Sequence, residues 1–230
     1  MSRTTLSTGT AADLVLPSDG RAPTMGLVLW PDIGGLRAVF DAHARRLADA
    51  HGWAVCAVEL FPGNESMPLA DRLAYAGNFS DAHKLADAEA AADLLAGHLP
   101  AGAPIRVLGF CMGGMYSMKT LASSRFDRAV AFYGMVRVPE AWQGSGQGDA
   151  LDVVAANVGN GRRAGLLCIF GTEDPWCPHA EIDEVEAAGA TVVRYEGADH
   201  GWAQDPDREN YRPADAADAW RRAEDYLSGT

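Results

Sequence analysis

The apolar run Ile105-Arg106-Val107-Leu108 leads directly into Gly109-Phe110-Cys111-Met112-Gly113-Gly114. Small residues two positions before and two after a central nucleophile let a strand turn sharply into a helix. The turn lifts one side chain above the end of a sheet. Few folds use such a turn, because it needs a strand feeding a helix and a sheet edge onto which the raised side chain opens. Most turns of this form carry serine, and the thiol here changes how the nucleophile must be activated. A buried apolar cysteine at a strand–helix junction is also an ordinary structural residue, so the motif needs partners elsewhere in the chain.

The rest of the chain repeats the same alternation. Apolar runs at Leu27–Trp30, Trp53–Val58, Ile105–Leu108, Arg128–Tyr133, Leu166–Phe170 and Thr191–Tyr195 read as strands. Helical patterns lie between or after them, at Leu36–His51 with Gly52 at the stop position, Ser80–His98, Gly113–Ser123, 179–188 and 213–227. Residues 61–68 are an irregular Pro/Gly segment. Short apolar strands alternating with helices predict a mostly parallel central sheet with helices on both faces, an α/β fold. Residues 1–20 are the exception, with Asp13-Leu14-Val15-Leu16 as an antiparallel edge strand. Gln143–Gly161, rich in Gly, Ala and Asn, is expected to be a surface loop or a flap near the pocket.

At 230 residues and 48% hydrophobic content, the chain suits a single domain over 1–230 with a substantial core. The net charge of −12 is spread along the chain, and Lys and Arg do not cluster. This argues against nucleic acid or an anionic membrane as partner. No run of about 18 apolar residues is present to span a bilayer, and the N-terminus does not resemble a signal peptide. A cytoplasmic monomer or small homo-oligomer is expected. The four cysteines (Cys56, Cys111, Cys168 and Cys177) form no Cys-x-x-Cys pair, so no disulfide framework is expected. Cys56 and Cys168 lie inside apolar runs and read as inert core residues.

In open parallel sheets, functional residues collect on loops just past the carboxyl ends of the strands. Three such loops carry reactive side chains. Cys111 follows Ile105–Leu108. Asp174 follows Leu166–Phe170, within Gly171-Thr172-Glu173-Asp174-Pro175. His200 follows Thr191–Tyr195, within Gly197-Ala198-Asp199-His200-Gly201-Trp202. Glu173 and Asp199 are competing acids, and Asp174 is preferred because it lies deeper in its loop and precedes Pro175. The order nucleophile, acid, histidine matches the α/β-hydrolase arrangement. A free thiol is only a few per cent thiolate at neutral pH. His200 can take its proton, Asp174 can fix the tautomer of His200, and the helix dipole favours the thiolate. The Met112 N–H, directly after the nucleophile, is placed to hold an oxyanion. Cys177-Pro178-His179 beside Asp174 lacks a second ligand group at metal-site spacing. No nucleotide-binding glycine pattern is present. Neither a metal nor a cofactor is expected.

Taken together, Trp30-Pro31-Asp32-Ile33-Gly34-Gly35, Gly109–Gly114, Ala131-Phe132-Tyr133-Gly134, Gly171–Pro178 and Asp199-His200-Gly201-Trp202 resemble the dienelactone hydrolase family of α/β-hydrolases. The likeness runs from about residue 10 to the C-terminus. It implies a Cys111/His200/Asp174 triad that opens small esters or lactones through a cysteine acyl-enzyme, with the Ile33 N–H as second oxyanion donor. It also implies a thiol-activating carboxylate at Asp32, where the family commonly carries glutamate. The family's substrate-holding arginine, expected four residues after the histidine, is Gln204 here, and Arg72 is the candidate for the second. A Gln supplies no cationic fork, so a neutral or differently shaped substrate is expected, with Trp202, Trp176 and Tyr75 lining the pocket. A thioesterase or acyltransferase on the same triad, and a non-catalytic small-molecule binder, remain open as alternatives.

Overall fold

The computed structural model describes residues 2–144, 146–159 and 164–229. Among these, eight strands form one sheet: β1 (Ser2–Thr5), β2 (Ala11–Val15), β3 (Met25–Trp30), β4 (Trp53–Val58), β5 (Ile105–Phe110), β6 (Phe126–Phe132), β7 (Gly165–Gly171) and β8 (Thr191–Tyr195). Their spatial order is β1-β2-β4-β3-β5-β6-β7-β8. From β4 to β8 every neighbouring pair is parallel, while β1 and β2 add antiparallel strands at one side. This is the α/β-hydrolase sheet. β3, β4 and β5 are buried along their whole length, as expected of strands covered on both faces.

Among the described residues there are seven α-helices. α1 (Ala38–His51) and α7 (Pro213–Ser228) pack together on one face, where Arg46 and His51 both meet Glu224. α3 (Asp81–Ala96), α4 (Met112–Lys119), α5 (Ala150–Asn157) and α6 (His179–Ala187) follow one another across the other face. α2 (Leu69–Tyr75) lies above the carboxyl ends of the strands. α1 stops at Gly52, whose φ of 70° closes the helix through its N–H to the Ala48 carbonyl. The face between α1, α7 and the sheet is aromatic. Phe40, Phe110, Phe132 and Trp220 pack there with His43, whose ring lies 4.6 Å from Trp220. Burial holds the His43 imidazole neutral and lowers its pKa to about 4, and its Nε2 meets the Gln204 carbonyl at 2.6 Å.

Two expectations need correction. The N-terminal antiparallel strand is not the edge. It is β2, paired with β4 on one side and with the polar strand β1 on the other. β1 lacks the apolar alternation that marks a strand; its backbone ladder and the 2.6 Å Arg3–Asp13 ion pair hold it instead. The segment Gln143–Gly161 is not one loop, because its described part contains α5, with Ala150 and Val154 buried. Residues 145, 160 and 161 of that segment lie outside the described residues.

Candidate active site

Cys111 stands between β5 and α4 with φ 55° and ψ −121°. A non-glycine residue held in this sparsely populated region costs about 1–3 kcal/mol and needs its surroundings to enforce it. The enforcement comes from the flanking glycines. A Cβ on Gly109 would lie 2.0 Å from the Gly113 carbonyl oxygen, and one on Gly113 would lie 2.1 Å from that of Pro31. Only glycine lets the two ends of the turn and the Pro31 backbone approach this closely. The Cys111 N–H donates to the Phe132 carbonyl at 3.0 Å, tying the turn to the neighbouring strand.

The structure brings Cys111, His200 and Asp174 together. Nδ1 of His200 donates to Oδ2 of Asp174 at 2.7 Å, and Oδ1 of Asp174 accepts the Trp176 N–H at 2.8 Å. Asp174 is buried, whereas Glu173 and Asp199 are exposed. The Asp199 carboxylate accepts the His200 N–H at 2.6 Å and so shapes the loop. Burial alone disfavours a charged His200 ring. The Cys111 sulfur and the Asp174 carboxylate outweigh it and raise the pKa of His200 to about 10. The arrangement can therefore hold a proton on the imidazole beside a nucleophilic sulfur.

Cys111 and His200 open on a small cavity of about 110 Å³, together with Asp32, Ile33, Trp176 and Arg208. Ile33, on the loop after β3, lines this cavity with Cys111, and Met112 opens α4 directly after Cys111. Asp32 shares the cavity, but its carboxylate is engaged. It accepts from Arg37 at 2.5 and 2.7 Å, from the Gly34 N–H at 2.8 Å and from Gln204 Nε2 at 3.1 Å. Although desolvation works to raise its pKa, the Arg37 guanidinium and these donors hold it below the ordinary carboxylate value.

The remaining expected pocket residues divide. Trp176 lines the cavity, half open to solvent, stacked 5.4 Å from Trp142. Trp202 and Gln204 are fully buried beneath it. Trp202 packs on Tyr195 and Tyr133, and Gln204 bridges the Tyr133 hydroxyl and Asp32. Arg72 points its guanidinium at the carbonyls of Ile33, Met67 and Glu65. Tyr75 lines a different cavity. Leu69, Leu73, Trp142 and Arg208 line the cavity of Cys111 and were not foreseen. The sequence signal for Arg208 was weak, because it lies four residues beyond the position the resemblance marked, in an irregular stretch.

Among the described residues, one trio carries metal-ligand chemistry within reach of itself: Asp174, Cys177 and His200, whose donor atoms lie within 4.8 Å of one another. The 2.7 Å His200–Asp174 hydrogen bond already engages two of them. Burial, with the Asp174 carboxylate, pushes the Cys177 thiol well above the ordinary range and keeps it neutral.

Comparison with known proteins agrees with this geometry. The dienelactone hydrolase family profile matches residues 11–229. A Bradyrhizobium sp. protein named "Probable 2-oxo-3-(5-oxofuran-2-ylidene)propanoate lactonase" is 27% identical over 218 residues, covering 90% of this chain and 84% of that one. A Rhodococcus opacus carboxymethylenebutenolidase is 28% identical over 128 residues, covering 53% of this chain and 48% of its own. The solved "Putative Dienelactone Hydrolase" of Klebsiella pneumoniae subsp. pneumoniae MGH 78578 shares the fold, with a TM-score of 0.82 at 23% identity over 96% of this chain and 95% of that one. With the profile matching nearly its whole length, the chain belongs to the dienelactone hydrolase family and is a carboxylic ester hydrolase.

Proposed function

We propose that this protein hydrolyses a small ester or lactone bearing a carboxylate, through a thioester on Cys111. The observation that carries the reading is the 2.7 Å hydrogen bond between His200 Nδ1 and Asp174, with His200 and Cys111 lining one small cavity. The sulfur of Cys111 attacks the ester carbonyl, and the oxyanion forms between the Met112 and Ile33 N–H groups. The carbon–oxygen bond then breaks, and the leaving oxygen takes the proton held by His200. In a lactone that oxygen stays attached to the acyl chain, so the opened ring remains on the enzyme until water arrives. Water attacks the thioester, gives its proton to His200, and the sulfur departs as thiolate. Asp174 fixes the imidazole tautomer throughout.

Asp32 is read as a positioning residue, because Arg37, Gly34 and Gln204 engage its oxygens. It fixes the Asp32–Gly35 loop that carries the Ile33 N–H. Arg208 is the cation lining the cavity and is read as the anchor for the substrate carboxylate, replacing the fork that Gln204 cannot provide. Four free buried thiols fit a reducing, cytoplasmic setting.

The test is a set of p-nitrophenyl esters and unsaturated lactones, run on the wild type and on Cys111→Ala. Turnover with a burst of nitrophenol in the wild type, and its loss in the variant, is the expected result. Undiminished hydrolysis by Cys111→Ala would overturn the thioester route.

A further inference from the structure

Four large apolar side chains are exposed among the described residues: Leu16, Leu69, Leu73 and Trp176. Three of them, Leu69, Leu73 and Trp176, line the cavity of Cys111. A single exposed leucine is ordinary on a protein surface, whereas apolar side chains gathered at the mouth of a cavity mark a binding surface. Leu16 follows β2 and has no part in this lining.

The apolar rim is held in place. Leu69 and Leu73 are four residues apart on α2 and so share one face of it. Arg72 fastens that helix: its guanidinium donates to the carbonyls of Ile33, Met67 and Glu65 and lies over the Phe61 ring. The cation that the family resemblance offers to a substrate carboxylate is thus engaged by backbone, and α2 brings leucines to the cavity instead. Trp176 is stacked on the buried Trp142 with ring planes 24° apart. Its backbone N–H donates to Asp174 at 2.8 Å, and its ring centroid lies 6.3 Å from that of His200.

Size gives the rim its role. The cavity of about 110 Å³ is smaller than the roughly 150 Å³ that holds benzene in an engineered apolar cavity. It takes a reacting carbonyl in a small ring, and a substituent on that ring lies across the mouth. A protein partner would need about 800 Å² from each side, far more than three side chains present.

We propose that the substrate carries an alkyl chain of a few carbons, which lies against Leu69, Leu73 and Trp176 while its carbonyl faces Cys111. This rests on the hydrolytic reading of the cavity and adds the substrate class, an alkyl-substituted small lactone or ester. Arg208, in the same lining, remains the place for a carboxylate.

The probes are γ-butyrolactone, γ-valerolactone and γ-nonalactone, which carry hydrogen, methyl and pentyl at one ring carbon. All are neutral, so Arg208 does not enter the comparison. Each is titrated calorimetrically into Cys111→Ala. A fully buried methylene is worth about fourfold in affinity, and one on an open rim about twofold. γ-Nonalactone is therefore expected to bind about tenfold more tightly than γ-butyrolactone, or better. Leu69→Ser/Leu73→Ser on the same background is expected to cut that preference to about threefold or less. Leu16→Ser, which changes the exposed leucine outside the cavity, is expected to keep it. Equal affinity across the series, a preference undiminished in Leu69→Ser/Leu73→Ser, or the same loss in Leu16→Ser would overturn the proposal. So would a wild-type dimer that dissociates in Leu69→Ser/Leu73→Ser on gel filtration, because the rim would then belong to a second copy. The titrations involve no turnover, so inability of the wild type to hydrolyse any small ester or lactone would count against the hydrolytic reading alone.

Discussion

A methyl group on Gly113 would sit 2.1 Å from the carbonyl oxygen of Pro31, well inside the distance at which two atoms can pack. The glycine is thus the point where the nucleophile turn leans on the loop carrying Asp32 and Ile33. Gly113→Ala is expected to destabilise the protein by roughly 3 kcal/mol or more, as a steric clash with buried backbone does. Urea unfolding checks this, and an unshifted midpoint would contradict it. Arg208 lines the cavity and is the residue we propose to select for substrate charge. Its guanidinium is exposed at the cavity rim, where hydrogen bonds to a charged group are worth about 1.5–3 kcal/mol, or tenfold and more in affinity. Arg208→Gln should raise KM about tenfold for a carboxylate-bearing ester and leave a neutral ester unaffected. Steady-state kinetics on the pair decide it, and equal effects on both substrates would remove Arg208 from recognition. That Cys111, Asp174 and His200 would come together was legible because each follows an apolar strand, at the same end of the sheet. Arg208, Trp142 and Leu73 were not, because which of several neighbouring side chains faces a cavity depends on loop backbone paths that no periodicity encodes.

Among the elements, the buried parallel strands matched their sequence signals within two residues at most ends, since a fully covered strand must be continuously apolar. α2 was missed because it is one short helix that directly follows the irregular Pro/Gly segment 61–68. α5 was missed because its Ala- and Val-rich turn is flanked by glycines. The α1–α7 pair supplies a pH dependence through His43. Burial lowers its pKa from 6.5 to about 4, so the unfolded chain binds the proton more readily than the native one. The stability this neutral ring provides is fully present above pH 6.5 and is lost as pH falls toward 4. A gap of this size corresponds to at most roughly 3 kcal/mol. Urea unfolding of the wild type at pH 7 and pH 4.5 should show the loss, and His43→Gln should show a flatter dependence. Parallel curves for the two proteins would assign the acid sensitivity to other groups.

Across the whole molecule, the sheet sorts the four thiols by accessibility. Cys56 and Cys168 are fully buried in strands, Cys177 is buried behind Asp174, and Cys111 alone borders the catalytic cavity. Burial also pushes the Cys56 thiol up to about 12, which removes the reactive thiolate at neutral pH. Iodoacetamide on the native protein should therefore label one cysteine, identified by peptide mapping as Cys111, and label all four once the chain is unfolded. Rapid native labelling at Cys56 or Cys168 would show that the sheet opens.

Strand β1 also has a consequence for colloidal behaviour. A sheet that ended at β2 would present Leu14 and Val15 beside unpaired backbone groups, a template for intermolecular strand addition. Ser2–Thr5 covers that template with four residues, none of them apolar, and Arg3 carries a charge along the outermost rung. This short segment, too polar to be read as a strand, is expected to act as a stopper against intermolecular strand addition. Deletion of residues 2–5 is expected to make the protein more prone to precipitate as it is concentrated.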